Sequence, residues 1–118
     1  CVMEALRCLG SVPFIGRLIE QDTVVDGHLL PAGVEVILPP MAVHTNESEW
    51  PEPWEYKPER FLDKSESNPD GKSHNNFAFV PFSAGPRGCI GRNFALNEEK
   101  VVLSTLFRRY SFAVPYEQ

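Results

Sequence analysis

The sequence predicts a mainly α chain with a small β-sheet region, and three stretches carry that prediction. Residues 92–110 place Ala95, Leu96, Val102, Leu103, Leu106 and Phe107 on one broad face at helical spacing. Residues 1–10 start in the middle of another helical pattern. Between them, residues 14–38 break into short apolar runs separated by two turn signals. The 118 residues suffice for one small domain, and a composition 42% hydrophobic and 23% charged is that of a globular protein.

Cys1-Val2-Met3-Glu4-Ala5-Leu6-Arg7 reads as helix with no N-cap residue, so we expect the C-terminal part of a chain several times longer. Glu4 and Arg7 stand three apart, on one helix face and within pairing distance. Gly10 is expected to close the helix as a left-handed cap. Strands are expected at residues 14–19, 23–25, 28–30 and 34–38. Asp26-Gly27 is a hairpin signal, and Pro31-Ala32-Gly33 a second turn with proline first and glycine third.

Pro39-Pro40 stops the last strand, because proline lacks the ladder donor. Residues 41–46, including His44, read as one or two helical turns. Pro51, Pro53 and Pro58 then forbid a long helix or a central strand, while Trp50, Trp54 and Phe61 demand burial. An irregular but packed segment is the expectation. Residues 64–76 are polar and read as an exposed loop. Helix 92–110 carries a second apolar strip through Phe94 and Val101, the mark of a helix buried in a larger protein. Residues 111–115 read as a closing strand.

The bulk numbers exclude several classes. A net charge of −5 argues against nucleic acid as a partner. No apolar run reaches about 18 residues, the length a membrane-spanning helix needs. Three cysteines do not suggest a disulfide framework, and no Cys-x-x-Cys or His-x-x-x-His spacing points to zinc.

Chemistry concentrates in Phe82-Ser83-Ala84-Gly85-Pro86-Arg87-Gly88-Cys89-Ile90-Gly91. A cysteine ligates iron as thiolate, and the N-terminus of the helix that follows Cys89 favours the anion. Glycines at 85, 88 and 91 permit tight turns and close approach of a ring or sulfur. Arg87 can fork onto a carboxylate. Phe82 can wall the sulfur off from water. The alternatives are a buried structural cysteine in a glycine-rich turn, or a cysteine nucleophile. A nucleophile would need a histidine base, and the nearest, His74, lies in the polar loop.

These residues spell F-x-x-G-x-R-x-C-x-G, which resembles the haem-binding signature of the cytochrome P-450 monooxygenases. The flanking Phe79-Val80-Pro81 and Ser83-Ala84-Gly85-Pro86-Arg87 are most similar to the animal family-four members. The resemblance covers essentially the whole chain. It implies a C-terminal haem-binding part of that fold. Residues 1–10 would be the end of the K helix and 11–38 the β region. Residues 39–76 would be the K-prime helix, meander and loop. The haem-thiolate loop would be 77–91, the L helix 92–110 and the closing strand 111–118. Gly10 departs from the family, which usually has proline there.

By the resemblance, Cys89 is the iron ligand, Phe82, Gly85 and Gly91 shape its pocket, and Arg87 anchors haem. Glu4, Arg7 and Arg60 of Pro58-Glu59-Arg60-Phe61 would form a buried structural triad. Arg17 falls at a propionate-binding position, but a strand-end arginine facing solvent is an equal reading. His44 matches a position near a propionate, although a lone histidine is more often a satisfied structural residue.

The implied cofactor is haem, iron protoporphyrin IX. The implied activity inserts one atom of dioxygen into a small lipophilic substrate, a fatty acid among the candidates, with electrons from a reductase. A non-oxygenating haem-binding module is the alternative. The resemblance also implies an endoplasmic reticulum membrane location through an N-terminal anchor absent from these residues. The 118 residues alone are not expected to be a competent oxygenase, because haem needs two walls.

Overall fold

Alternating short strands and the Asp26-Gly27 signal produce one long, two-part hairpin in the computed structural model, which describes residues 1–62 and 77–113. Strands β1 (Ile15–Leu18) and β4 (Glu35–Leu38) form its antiparallel base, with Ile15 opposite Leu38 and Leu18 opposite Glu35. Strands β2 (Thr23–Val25) and β3 (His28–Leu30) form its tip, with Val25 opposite His28. Both Asp26 and Gly27 have positive φ, 48° and 78°, as a tight two-residue hairpin turn requires. At the second turn the Val34 amide donates to the Pro31 carbonyl oxygen, with Gly33 at φ 86°.

Helix α1 (Val2–Cys8) ends earlier than expected. Leu9 caps it at φ −134°, its amide donating to Ala5 O, and Gly10 is not left-handed. The expected glycine cap is thereby corrected: the helix has already unwound one residue before Gly10. A Cβ at Gly10 would lie 3.1 Å from Leu6 O, so bareness, rather than handedness, is its use.

Helix α2 (Pro40–His44) follows β4, with Pro40 at its first position, where no amide donor is needed. The proline-rich segment after it holds one short 3-10 helix, Pro58–Phe61, which packs on α1. Trp50 is fully buried there, but Trp54 is 75% exposed, so only one of the two tryptophans finds the burial its size invites.

A second 3-10 turn, Gly85–Arg87, precedes α3 (Arg92–Arg109). No residue of α3 is buried within this chain, and Phe94, Val101 and Phe107 all stand well over half exposed. Ser111, Phe112 and Ala113 form no strand, although Phe112 packs edge-on against Phe107 at 5.2 Å. The rest of the expected closing strand, and the polar loop with His74, lie outside the described residues.

Candidate functional site

Beside Trp50, the large buried side chains are the polar Glu4, Arg7 and His44, and their partners explain why. Arg7 donates to both oxygens of Glu4, from Nε to Oε2 and from Nη2 to Oε1, each at 2.8 Å. Its Nη1 donates to the carbonyl oxygens of His44 (2.9 Å) and Pro53 (2.7 Å), and its Nη2 to that of Glu55 (3.2 Å). The guanidinium carbon lies 5.3 Å from the Trp50 ring centre, so its face is covered by an aromatic as well.

Glu4 also accepts from the Lys57 amide at 2.9 Å, and Arg60 Nε stands 3.3 Å from the same Oε1. Arg60 reaches further, donating from Nη2 to the Glu52 carbonyl oxygen at 2.9 Å. The structure thus brings Glu4, Arg7 and Arg60 together, with Glu4 and Arg7 wholly buried. Such a group of charges tolerates burial only when its donors and lone pairs are met. Here main-chain carbonyls supply most of what the side chains do not. Burial pushes the Glu4 carboxyl up, but the Arg7 and Lys57 hydrogen bonds and the nearby guanidinium charges outweigh it and hold the carboxyl below the ordinary carboxylate range. The Cys8 thiol accepts from Arg7 Nη2 at 3.0 Å, and burial pushes that thiol up.

His44 closes the same cluster from α2. It is 2% exposed, and its Nε2 accepts the Val80 amide at 2.9 Å. Nε2 is therefore committed to the main chain, which is the satisfied structural role a lone histidine more often has. Burial holds its pKa below the ordinary histidine value. Beside it, Trp50 Nε1 donates to Ala78 O at 3.1 Å, and Phe79 packs on Phe61 with ring centres 4.8 Å apart.

The cysteine loop leaves this cluster at Val80. The Ser83 amide donates to Val80 O (3.0 Å), the Cys89 amide to Phe82 O (2.8 Å) and the Gly88 amide to Gly85 O (2.9 Å). Two consecutive bends need left-handed backbone, Ser83 at φ 61° and Gly85 at φ 67°. Gly85 adopts it freely, whereas Ser83 does so at a cost. Phe82 is half-buried and Cys89 exposed. The Arg92 amide, first in α3, donates back to Cys89 O at 3.4 Å, which sets the cysteine directly before the helix. A Cβ on Gly91 would sit 3.8 Å from the Cys89 sulfur, an ordinary contact.

Arg17 and Arg87 line one open cleft of about 420 Å³, whose walls include Ile15, Leu38, Val43, Val80 and Pro86. Arg17 Nη2 lies 3.4 Å from Ser83 Oγ, and its Nη1 donates to Gly16 O. Sequence reasoning found both arginines but not Ser83, Lys57 or the carbonyls that receive Arg7. Main-chain acceptors leave no residue signature to find.

Fold and site together define a cysteine-presenting loop, held on a charge-locked frame and adjoining an apolar cleft with two guanidiniums. A family model described as Cytochrome P450 matches residues 1–118, and the chain belongs to that family. Among curated relatives, it is 43% identical over 113 residues to cytochrome P450 4F12 of Homo sapiens, covering 95% of this chain and 21% of that protein. It is 41% identical over 110 residues to cytochrome P450 4c3 of Drosophila melanogaster (93% and 20%). With cytochrome P450 4V2 of Mus musculus it shares 41% over 111 residues (93% and 20%). The chain spans about one fifth of the length of these relatives. No described helix is long and apolar enough to cross a membrane.

Proposed function

We propose that these residues are the C-terminal, haem-binding part of a haem-thiolate monooxygenase. The intact protein would insert one atom of dioxygen into a lipophilic organic substrate of the fatty-acid class. The observation that carries this reading is the exposed Cys89 set directly before α3, two residues beyond an arginine that lines an apolar cleft. The donor set fits the group: a thiolate for iron, apolar walls for a flat ring, and Arg17 and Arg87 for its carboxylates. Haem bound there supplies dioxygen activation, assisted by electron donation from the sulfur.

In this reading Cys89 would hold the iron through its sulfur, and the loop from Phe82 to Gly91 would shape the pocket around it. Glu4, Arg7 and Arg60 hold the frame without reacting. A reductase supplies electrons, and an anchor elsewhere in the intact protein holds it at the endoplasmic reticulum membrane. The test compares Cys89→Ser with Cys8→Ser in the intact protein, through the absorption of the reduced, carbon-monoxide-bound form. The red-shifted thiolate band should vanish in the first and survive in the second. Retention of that band and of turnover in Cys89→Ser would overturn the assignment. A thiolate band with no oxygenated product from any lipophilic substrate would favour a haem-binding module that does not oxygenate.

A further inference from the structure

His44 touches both halves of the structure with two different atoms. Its carbonyl oxygen accepts Arg7 Nη1 at 2.9 Å, which ties it to the buried charges of α1. Its ring Nε2 accepts the Val80 amide at 2.9 Å, which ties it to the strand of chain entering the cysteine loop. From Val80 the contacts continue without a gap: Val80 O accepts the Ser83 amide, and Phe82 O accepts the Cys89 amide. The His44 ring also packs on Phe79 at 5.2 Å, so it is fixed in direction as well as in place.

We propose that His44 is a positioning residue that sets the Cys89 loop on the α1 frame by offering Val80 a buried, neutral hydrogen-bond acceptor. The inference rests on the haem-thiolate reading only for its spectroscopic readout. The physical requirement is specific. The Val80 amide donates, so Nε2 must carry a lone pair, and the proton of the neutral ring must sit on Nδ1. A protonated ring has two donors and none to receive Val80. Among the described residues, the titratable groups beside the ring are Arg7 from α1, whose charge disfavours a second cation, and Cys8, which shares a small cavity with His44, Met41 and Pro81. Burial, the largest effect, and the Arg7 charge keep the ring neutral, against a backbone hydrogen bond at Arg7 that favours the charged form. Trp50 holds the neighbouring Ala78 by donating, not accepting, so it cannot substitute for this role.

The experiment compares His44→Phe, His44→Gln and Trp50→Phe in the intact protein. Phenylalanine keeps the ring and loses the acceptor, and glutamine places an oxygen near the former Nε2. Amide hydrogen exchange across residues 77–82 is read first, because it needs no haem. His44→Phe should exchange about tenfold faster or more, since the Val80 amide is left buried and unmet. His44→Gln should restore most of the protection. The second readout is the fraction of thiolate band in the reduced, carbon-monoxide-bound protein. It should fall in His44→Phe and recover in His44→Gln.

As pH drops below the ordinary histidine range, the wild type and Trp50→Phe should lose protection at 77–82, and His44→Gln should not. Wild-type exchange in His44→Phe, or failure of His44→Gln to restore protection, would overturn the proposal. So would an acid loss in His44→Gln that matches the wild type, a comparison still available if His44→Phe does not fold. If exchange behaves as expected but the wild type has no thiolate band, the haem reading falls and the role of His44 stands.

Discussion

Around α1 the buried side chains are charged or polar, whereas along α3 the apolar side chains are bare. Glu4, Arg7 and His44 lie at the centre with Trp50, each held by atoms from at least two parts of the chain. Phe94, Val101 and Phe107 of α3 are each more than three-fifths exposed. Charged groups cannot be left buried and unpaired, so they must find partners close by, and these partners lie within the present residues. Apolar faces need only area to cover them, and the described residues do not supply it to α3. The two regions therefore carry different kinds of information. The frame around α1 finds its partners among the described residues, and the apolar face of α3 stays exposed beside them.

Substitutions can break or sharpen that contrast. The largest effect should come from Arg7→Ala, which strands Glu4 in the interior and empties three carbonyl oxygens of their donor. Chemical unfolding should register a loss of about 5 kcal/mol, the upper range for breaking a buried pair. A loss below about 1 kcal/mol would mean that the frame is not closed by these charges. Arg60→Ala should cost about 3 kcal/mol, because Glu4 keeps Arg7 and the Lys57 amide. A melting temperature and haem content equal to the wild type would remove Arg60 from the network.

Val101→Ser tests the other region. In the 118 residues alone it should change stability by less than about 0.5 kcal/mol, as at any exposed site. In the intact protein it should cost about 2 kcal/mol if the rest of the molecule covers that face. Equal small effects in both would leave α3 solvent-facing and undo the contrast.

The smallest effect should be the response to acid. His44 has a lowered pKa, so the unfolded chain binds its proton more readily than the folded one. Its contribution is full above the ordinary histidine value and is lost as pH falls from there through the lowered folded value. Glu4, also lowered, adds a loss at more acid pH, below the ordinary carboxylate value. Unfolding free energy measured against pH should therefore fall in two stages, and His44→Gln should remove only the upper one.

Much of this architecture was legible beforehand. Turn chemistry placed the hairpin, because Asp-Gly and Pro-x-Gly impose backbone angles locally. The spacing of Glu4 and Arg7 placed them on one face for the same reason. What was not legible depended on distant contacts. Gly10 looked like a cap because glycine so often is one, yet Leu9 ended the helix first. Trp54 looked buried because of its size, but among the described residues it stays 75% exposed. The ring of His44 could be read toward a cofactor or as a satisfied structural residue, and neither reading could name its Nε2 partner, an amide 36 residues away. An amide at that distance is invisible to any reading of types and spacings.

The grip of Arg7 has an evolutionary side. The groups that it holds in residues 44–55 are the carbonyl oxygens of His44, Pro53 and Glu55, atoms that every amino acid carries. The exposed side chain at 55 is thus free to drift without loosening the hold, provided the backbone keeps its path, whereas Pro53 is itself buried. Arginine itself has no such freedom, since no other residue carries five N–H donors on one rigid fork. A lineage could rewrite much of this segment and still leave the cysteine loop where it stands.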